Sequence, residues 1–110
     1  MQGQKKDQAM YIDIEDRDPI WLKDKGDHFF KRHDYQAAIN AYTKALEFDK
    51  EFLMVFLNRA ACWLKIRAFE NTVKDVDDIL TIIAKVGEDE KKDDFYAKVE
   101  ARAQVKKGAA

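Results

Sequence analysis

Residues 22–46 read LKDKGDHFFKRHDYQAAINAYTKAL, and a related pattern returns 34 positions later in residues 56–80, FLNRAACWLKIRAFENTVKDVDDIL. At this shift Gly26 corresponds to Ala60, both small residues, and Phe29 corresponds to Trp63, both aromatic residues. The other matched pairs are Phe30 with Leu64, Tyr35 with Phe69, Tyr42 with Val76, Ala45 with Ile79, and Leu46 with Leu80. Because so many positions match at a single shift, the chain contains an internal repeat.

Each repeat unit reads as two helices joined by a short turn. Asp18 followed by Pro19 is typical of a helix start, and Ala38, Tyr42 and Ala45, spaced by four and three, predict a second helix. The second unit predicts corresponding helices over residues 52–67 and 69–85. A period of 34 residues with two antiparallel helices per unit is the signature of the tetratricopeptide repeat (TPR). We therefore predict an all-α fold with two full TPR repeats plus one further helix.

The repeats also divide the chain. We predict a polar N-terminal linker over residues 1–18 and a TPR domain over residues 19–110. Within this domain the two full repeats cover residues 19–52 and 53–86. The charged stretch GEDEKKDDFY, residues 87–96, predicts an inserted, solvated loop, after which a partial third repeat begins near Ala97. Two outcomes are open for the last helix, FYAKVEARAQVKK: it caps the stack, or it leaves an apolar face uncovered, which would allow self-association. Gly26, inside the first helix, predicts the close approach of a neighbouring helix.

Composition argues against several classes of protein. The 110 residues suffice for one domain, and 20 Lys and Arg against 21 Asp and Glu give a net charge of −1. This balance argues against a nucleic-acid-binding protein, which would carry an excess of positive charge. No apolar run reaches the roughly 18–20 residues that span a bilayer, so no membrane association is expected. A single cysteine, Cys62, is typical of a reducing compartment, and we expect a cytoplasmic protein.

The sequence contains no motif of an enzyme active site. His28 and His33 have no partners at the spacing of metal ligands, and Cys62 has no catalytic motif around it. A Gly-rich phosphate loop is also missing from the sequence. We therefore expect no metal, no cofactor and no enzymatic activity.

The candidate site is a groove, because TPR units stack their first helices along a concave surface. The polar residues predicted on these inner helices are Lys23, Asp27, Asn58, Lys98 and Arg102. Cations and an amide that face one groove would suit a carboxylate ligand, which Arg can bind through two hydrogen bonds. From spacing alone, the same residues also fit ordinary solvated helix faces. Phe30 and Leu64 are expected to line the groove and to contact an apolar side chain of the ligand.

The segments WLKDKGDHFF, AAINAYTKAL and LNRAACWLK resemble the TPR domains of co-chaperones, and in particular those of axonemal dynein assembly factors. The resemblance covers about residues 17–107. It implies binding of the Glu-Glu-Val-Asp C-terminal peptides of the seventy- and ninety-kilodalton heat-shock chaperones. It also implies a role in axonemal dynein assembly, with other dynein assembly factors as partners. The family binds the tail with a carboxylate clamp, whose positions correspond here to Lys23, Asp27, Asn58, Lys98 and Arg102.

Asp27 departs from that family pattern, which has Asn at this position. An ionised carboxylate cannot donate a hydrogen bond, and it would repel a carboxylate of the ligand. Lys23, four residues earlier, could neutralise Asp27 but would then be less available to the ligand. Two functions therefore stay open: a co-chaperone module that binds an acidic chaperone tail, or a TPR scaffold without a working clamp. Such a scaffold would bind a different partner or self-associate.

Overall fold

The computed structural model describes residues 17–110, and the expected N-terminal linker lies outside the described residues except for Arg17 and Asp18. The described part is all-α, as predicted, and contains no strand. Its helices, which we number in chain order, are α1 Pro19–Lys31, α2 Tyr35–Phe48, α3 Leu53–Lys65, α4 Phe69–Ala84, α5 Glu88–Lys91 and α6 Asp94–Ala109. None of them is both long enough and apolar enough to cross a membrane.

The helices pack in sequential pairs that stack into an array. Helix α1 packs on α2, α3 packs on α4, and α2 joins the two pairs through its contact with α3. Helix α6 packs against both α3 and α4, so it continues the stack in the manner of a third first helix. Helices α1, α3 and α6 therefore lie in succession along one side, which confirms the predicted TPR architecture.

The repeat is reproduced in the backbone at the two helix–helix turns. His33 after α1 and Arg67 after α3 both adopt a left-handed conformation with φ of 62°, and they are 34 positions apart. In each turn an amide beyond the helix closes a hydrogen bond onto its last turn: Asp34 N to Phe29 O at 3.0 Å, and Ala68 N to Trp63 O at 2.8 Å. This is the Schellman arrangement, which usually places Gly at the left-handed position.

The first two helices begin at aspartate caps. The Asp18 carboxylate accepts a hydrogen bond from the Ile20 amide at 2.9 Å, and Pro19 occupies the first helical position as predicted. The Asp34 carboxylate accepts one from the Ala37 amide at 3.3 Å. Each cap satisfies an amide that has no partner within its helix.

The core runs between the two layers of helices. Its most deeply buried residues include Leu22, Ala38, Tyr42, Ala45, Val55, Ala60, Cys62, Val76, Ile79, Val99 and Ala103. Gly26 is buried against the Tyr42 ring, and a Cβ added at Gly26 would lie 2.6 Å from Tyr42 Cδ1. The close helix approach that Gly26 predicted is therefore present between α1 and α2.

A buried ion pair joins α3 to α4. Arg59 donates from Nε to Asp75 Oδ2 at 2.9 Å and from Nη2 to Asp75 Oδ1 at 2.6 Å, while its Nη1 donates to Thr43 Oγ1 at 3.1 Å. Asp75 is 1% exposed. Burial raises the pKa of the Asp75 carboxyl above its ordinary value, although the Arg59 guanidinium acts in the opposite direction. The pair thus carries a desolvation cost that its two hydrogen bonds offset in part.

The charged stretch before the last helix is not the loop that the sequence predicted. It contains the short exposed helix α5, and α6 already begins at Asp94. Gly87 caps α5 in an extended conformation, and Glu88, Asp89 and Glu90 form its first turn, where negative charge is favourable. Asp93 then caps α6 by accepting a hydrogen bond from the Phe95 amide at 3.0 Å.

Candidate functional site

Two adjoining cavities lie along the side formed by α1, α3 and α6. The first has a volume of about 260 Å³ and is lined by Asp27, Phe30, Lys31, Tyr42, Asn58 and Ala61. The second has a volume of about 540 Å³ and is lined by Ala61, Leu64, Lys65, Arg67, Phe69, Val105, Lys106 and Ala109. Ala61 lines both cavities, so they adjoin on α3, and together we call them the groove. Phe30 lies in the first cavity and Leu64 in the second.

The polar centre of the first cavity is the Asp27 carboxylate. Lys23 Nζ lies 2.7 Å from Asp27 Oδ2, one helical turn away on α1. Asn58 Nδ2, from α3, donates to Asp27 Oδ1 at 3.0 Å, and the Tyr42 hydroxyl, from α2, donates to the same oxygen. Three helices therefore supply donors to one carboxylate.

Local packing brings these groups together. Gly26 leaves room for the Tyr42 ring against α1, which carries the hydroxyl of Tyr42 to the neighbouring Asp27. Burial is the main reason that the pKa of Tyr42 is raised well above its ordinary value, and the hydrogen bond to Asp27 adds to it. Burial, and then the charge of Asp27, also raise the pKa of Cys62 to about 12, so this thiol stays protonated near neutral pH.

These contacts change the chemistry expected of the predicted clamp. Sequence reasoning treated Asp27 as a charge that faces the ligand, whereas in the structure it accepts hydrogen bonds from Lys23, Tyr42 and Asn58. The Lys23 ammonium group neutralises the charge of Asp27, and one N–H of the Asn58 amide donates to Asp27. The donors predicted for a ligand carboxylate are thus directed at a carboxylate of the chain itself.

At the other end of the groove, neither member of the predicted pair Lys98 and Arg102 lines one of the two cavities, and both side chains are exposed. Lys98 Nζ lies 3.1 Å from Asp94 Oδ2, and these two side chains are 69% and 75% exposed. Lys106, by contrast, is half-buried and lines the second cavity. Burial and then the nearby charge of Arg102 lower the pKa of Lys106. Arg102 therefore lies close to Lys106, which follows it by one helical turn on α6.

Sequence reasoning missed Lys106. The small residue Gly108 lies two positions after it, but a Cβ at Gly108 would have no atom within 4 Å, so Gly108 is not the counterpart of the buried Gly26 and Ala60. The buried small residue of α6 is Ala103, and Lys106 follows it by three positions, about one helical turn. No spacing signal in the sequence marks Lys106 as a groove residue.

The second cavity combines an apolar floor with unpaired cations. Phe69 is 45% exposed and Val105 is 72% exposed, while Leu64 is partly buried beside them. Lys65, Arg67 and Lys106 line the cavity, and no Asp or Glu does. Within residues 17–110, none of these three cations, nor Arg102, takes part in an ion pair. This end of the groove is suited to an anion that carries an apolar group.

The described residues contain no group of three or more His, Cys, Asp or Glu side chains placed to bind a metal ion. His28 and His33 are both exposed, and the His33 ring instead contacts the Tyr35 hydroxyl at 2.8 Å from Nδ1. The polar chemistry of the groove is therefore that of hydrogen bonds and charge.

Comparison with known proteins identifies relatives over most of the chain. It is similar to Dynein axonemal assembly factor 4 of Pongo pygmaeus, with 34% identity over 87% of this chain and 21% of that protein. It is also similar to the same-named protein of Mus musculus, at 33% identity with the same coverage, and to the Hsp70-Hsp90 organizing protein of Triticum aestivum, at 35% identity over 80% of this chain and 14% of that protein.

The chain spans about a fifth of the length of the dynein assembly factors that it matches (21%). No family model matches it. Its helix pairs nevertheless repeat with a period of 34 residues, and α6 extends the same stack. The chain therefore has a tetratricopeptide-repeat architecture, and its sequence is similar to dynein axonemal assembly factors and to Hsp70-Hsp90 organizing proteins.

Proposed function

We propose that the chain is a non-enzymatic interaction module that binds the acidic C-terminal tail of seventy- and ninety-kilodalton heat-shock chaperones in the groove. The observation that carries the proposal is the second cavity, where unpaired cations surround an exposed apolar floor. Similarity to Hsp70-Hsp90 organizing proteins supports a chaperone as the partner.

Different residues of the groove would bind different parts of the peptide. Arg102 can hold a carboxylate through two parallel hydrogen bonds, and Lys106 adds a charge that is already partly desolvated. An anion beside Lys106 would offset the unfavourable burial and the repulsion from Arg102. The apolar side chain that lies between the acidic residues of such a tail would pack on Leu64 and Phe69.

Lys98 stays a prediction of the sequence. Its ammonium group must leave Asp94 before it can meet a ligand, and both groups are exposed enough for water to screen them. Lys98 and Lys106 are each four residues from Arg102, on opposite sides of it in the sequence. The two lysines thus form a matched pair for mutagenesis.

The wider setting is part of the same proposal. Similarity to dynein axonemal assembly factors favours a module that acts in the cytoplasm during axonemal dynein assembly, with other assembly factors as partners. The whole relatives are longer than this chain, and their remaining segments would supply those further contacts.

Binding of a fluorescent Glu-Glu-Val-Asp peptide to the full chain tests the proposal. Lys106→Ala should weaken the affinity by about tenfold, the scale of one charge-assisted hydrogen bond, whereas Lys98→Ala should change it less than about twofold. Equal affinities for the wild type and Lys106→Ala, or absence of binding by the wild type, would contradict the proposal.

The scaffold alternative predicts self-association through the last helix. The face between α4 and α6 is lined by Leu80, Ile83 and Tyr96, but α6 also places Glu100 and Gln104 there. A polar contribution of this kind does not favour a tight dimer. A mass from sedimentation equilibrium that rises with concentration would support the alternative.

A further inference from the structure

We propose that Asp27 is a built-in carboxylate that closes the first cavity to a carboxylate of the ligand. The groove then recognises its acidic ligand through the second cavity, and the ligand does not need a free C-terminal carboxylate there. This inference rests on the proposed function and specifies which class of peptide the groove accepts: acidic peptides whose C-terminus is free or blocked.

The donors next to Asp27 are already occupied. Asn58 lines the first cavity and Lys23 lies beside it without lining it, and their donor atoms lie 3.0 and 2.7 Å from Asp27 oxygens. A ligand carboxylate would have to break these contacts and then lie beside Asp27 itself. Only Lys31 remains as an unpaired cation among the residues that line this cavity.

Core packing holds Asp27 in place. An exposed pair of Lys23 and Asp27 alone would be weak and easily opened. Tyr42, however, is 1% exposed, and its ring is fixed against Gly26. Its hydroxyl therefore presents a donor at a fixed place, and Asp27 stays where that donor and Asn58 converge.

The two cavities differ in the charges of their lining residues. The second cavity has no acid on its lining and has cations without ion-pair partners, so an acidic side chain can enter it at no cost in broken pairs. The charged residues that line the first cavity are Asp27 and Lys31, and Asp27 also pairs with Lys23 beside the cavity. It suits an uncharged part of the ligand, such as a peptide group whose N–H donates to the exposed part of Asp27.

The test compares one peptide with a free C-terminus and with an amidated C-terminus, on the full chain. The wild type should bind the two forms of a Glu-Glu-Val-Asp peptide within about threefold of each other. In Asp27→Asn the amide oxygen still accepts from Tyr42 and Asn58, but the side chain no longer pairs with the Lys23 ammonium group. Asp27→Asn should therefore prefer the free acid by about tenfold or more, because Lys23 is released.

A matched control is Asp24→Asn, which removes the same charge from an exposed residue of α1. It should leave the ratio of the two affinities at its wild-type value. A wild type that already prefers the free acid by tenfold overturns the inference, as does an Asp27→Asn variant that shows no preference.

Two results separate this inference from the proposed function. If the wild type binds neither peptide but Asp27→Asn binds the free acid, the proposed function fails and the closing role of Asp27 stands. If neither protein binds either peptide, both fail. Should Asp27→Asn not fold, as judged by circular dichroism, Lys23→Met replaces it: the affinity ratio should stay near one, and a loss confined to the free acid overturns the inference.

Discussion

The Tyr42 hydroxyl donates a hydrogen bond to the Asp27 carboxylate across the interface of α1 and α2. The bond exists because Gly26 has no side chain where the Tyr42 ring lies. A core residue thereby holds a charged residue of the groove, so the stability of the fold and the chemistry of the site are linked at this point.

Gly26→Leu should lower the free energy of unfolding by roughly 1–3 kcal/mol, the usual range for overpacking. The new side chain would push the Tyr42 ring away from α1. Gly108→Ala is the control, because a Cβ at Gly108 has no atom within 4 Å. Thermal unfolding followed by circular dichroism measures both variants, and an unchanged melting temperature for Gly26→Leu would mean that the packing at Tyr42 is wrong.

Arg67→Gly should stabilise the protein by about 0.5–1 kcal/mol. A left-handed residue with a Cβ costs about 1–2 kcal/mol, and the extra entropy of Gly in the unfolded chain removes part of the gain. Lys65→Gly, two positions earlier within α3, should instead destabilise by about 1 kcal/mol. Urea unfolding of the two variants distinguishes these signs, and a destabilised Arg67→Gly would contradict the Schellman geometry described for this turn.

Arg59→Leu should cost about 3–5 kcal/mol at neutral pH, because it leaves the buried Asp75 carboxylate without its partner. Burial raises the pKa of the Asp75 carboxyl and the Arg59 guanidinium opposes this shift, so removing Arg59 should raise the folded-state pKa further. The carboxyl of the variant then takes up a proton at a pH where that of the wild type is still ionised, and protonation removes its unpaired charge. The cost of Arg59→Leu should therefore shrink on acidification.

Urea unfolding at neutral pH and at about pH 4 measures this change. Asp77→Asn is the control, since the Asp77–Lys107 pair on the same helix is 54% and 42% exposed and should contribute less than about 1 kcal/mol. A cost of Arg59→Leu that grows toward acid would show that Arg59 does not stabilise the charged form of Asp75.

Arg102→Ala should weaken binding of an acidic peptide by about 1.5–3 kcal/mol, the range for a hydrogen bond to a charged group. Raising the salt concentration should weaken wild-type binding as well, because salt screens the attraction between carboxylates and exposed cations. The slope against salt should be smaller for Arg102→Ala than for the wild type. Calorimetric titration at several salt concentrations checks this, and identical slopes would remove Arg102 from the site.

The repeat architecture could be predicted from the sequence alone. A residue such as Ala60 is buried for the same reason as Gly26, because both stand at the helix crossing of their unit, and this shared requirement is visible as a 34-residue period. The capping of α1 by Asp18 was also predictable, since a cap depends on residues within one turn of each other. Local spacing likewise showed that Lys23 could neutralise Asp27.

Which side chains of the groove form hydrogen bonds with one another depends on the tertiary structure and could not be predicted. Tyr42 and Asn58 reach Asp27 from 15 and 31 positions away, and whether their donors meet depends on the distance between helices rather than on any spacing in the chain. The place of Lys106 depends on how α5 and its turns set the register of α6, which a charged stretch of sequence does not reveal. Side-chain hydrogen bonds act over about 3 Å, so a shift of one helical turn decides which groups can form them.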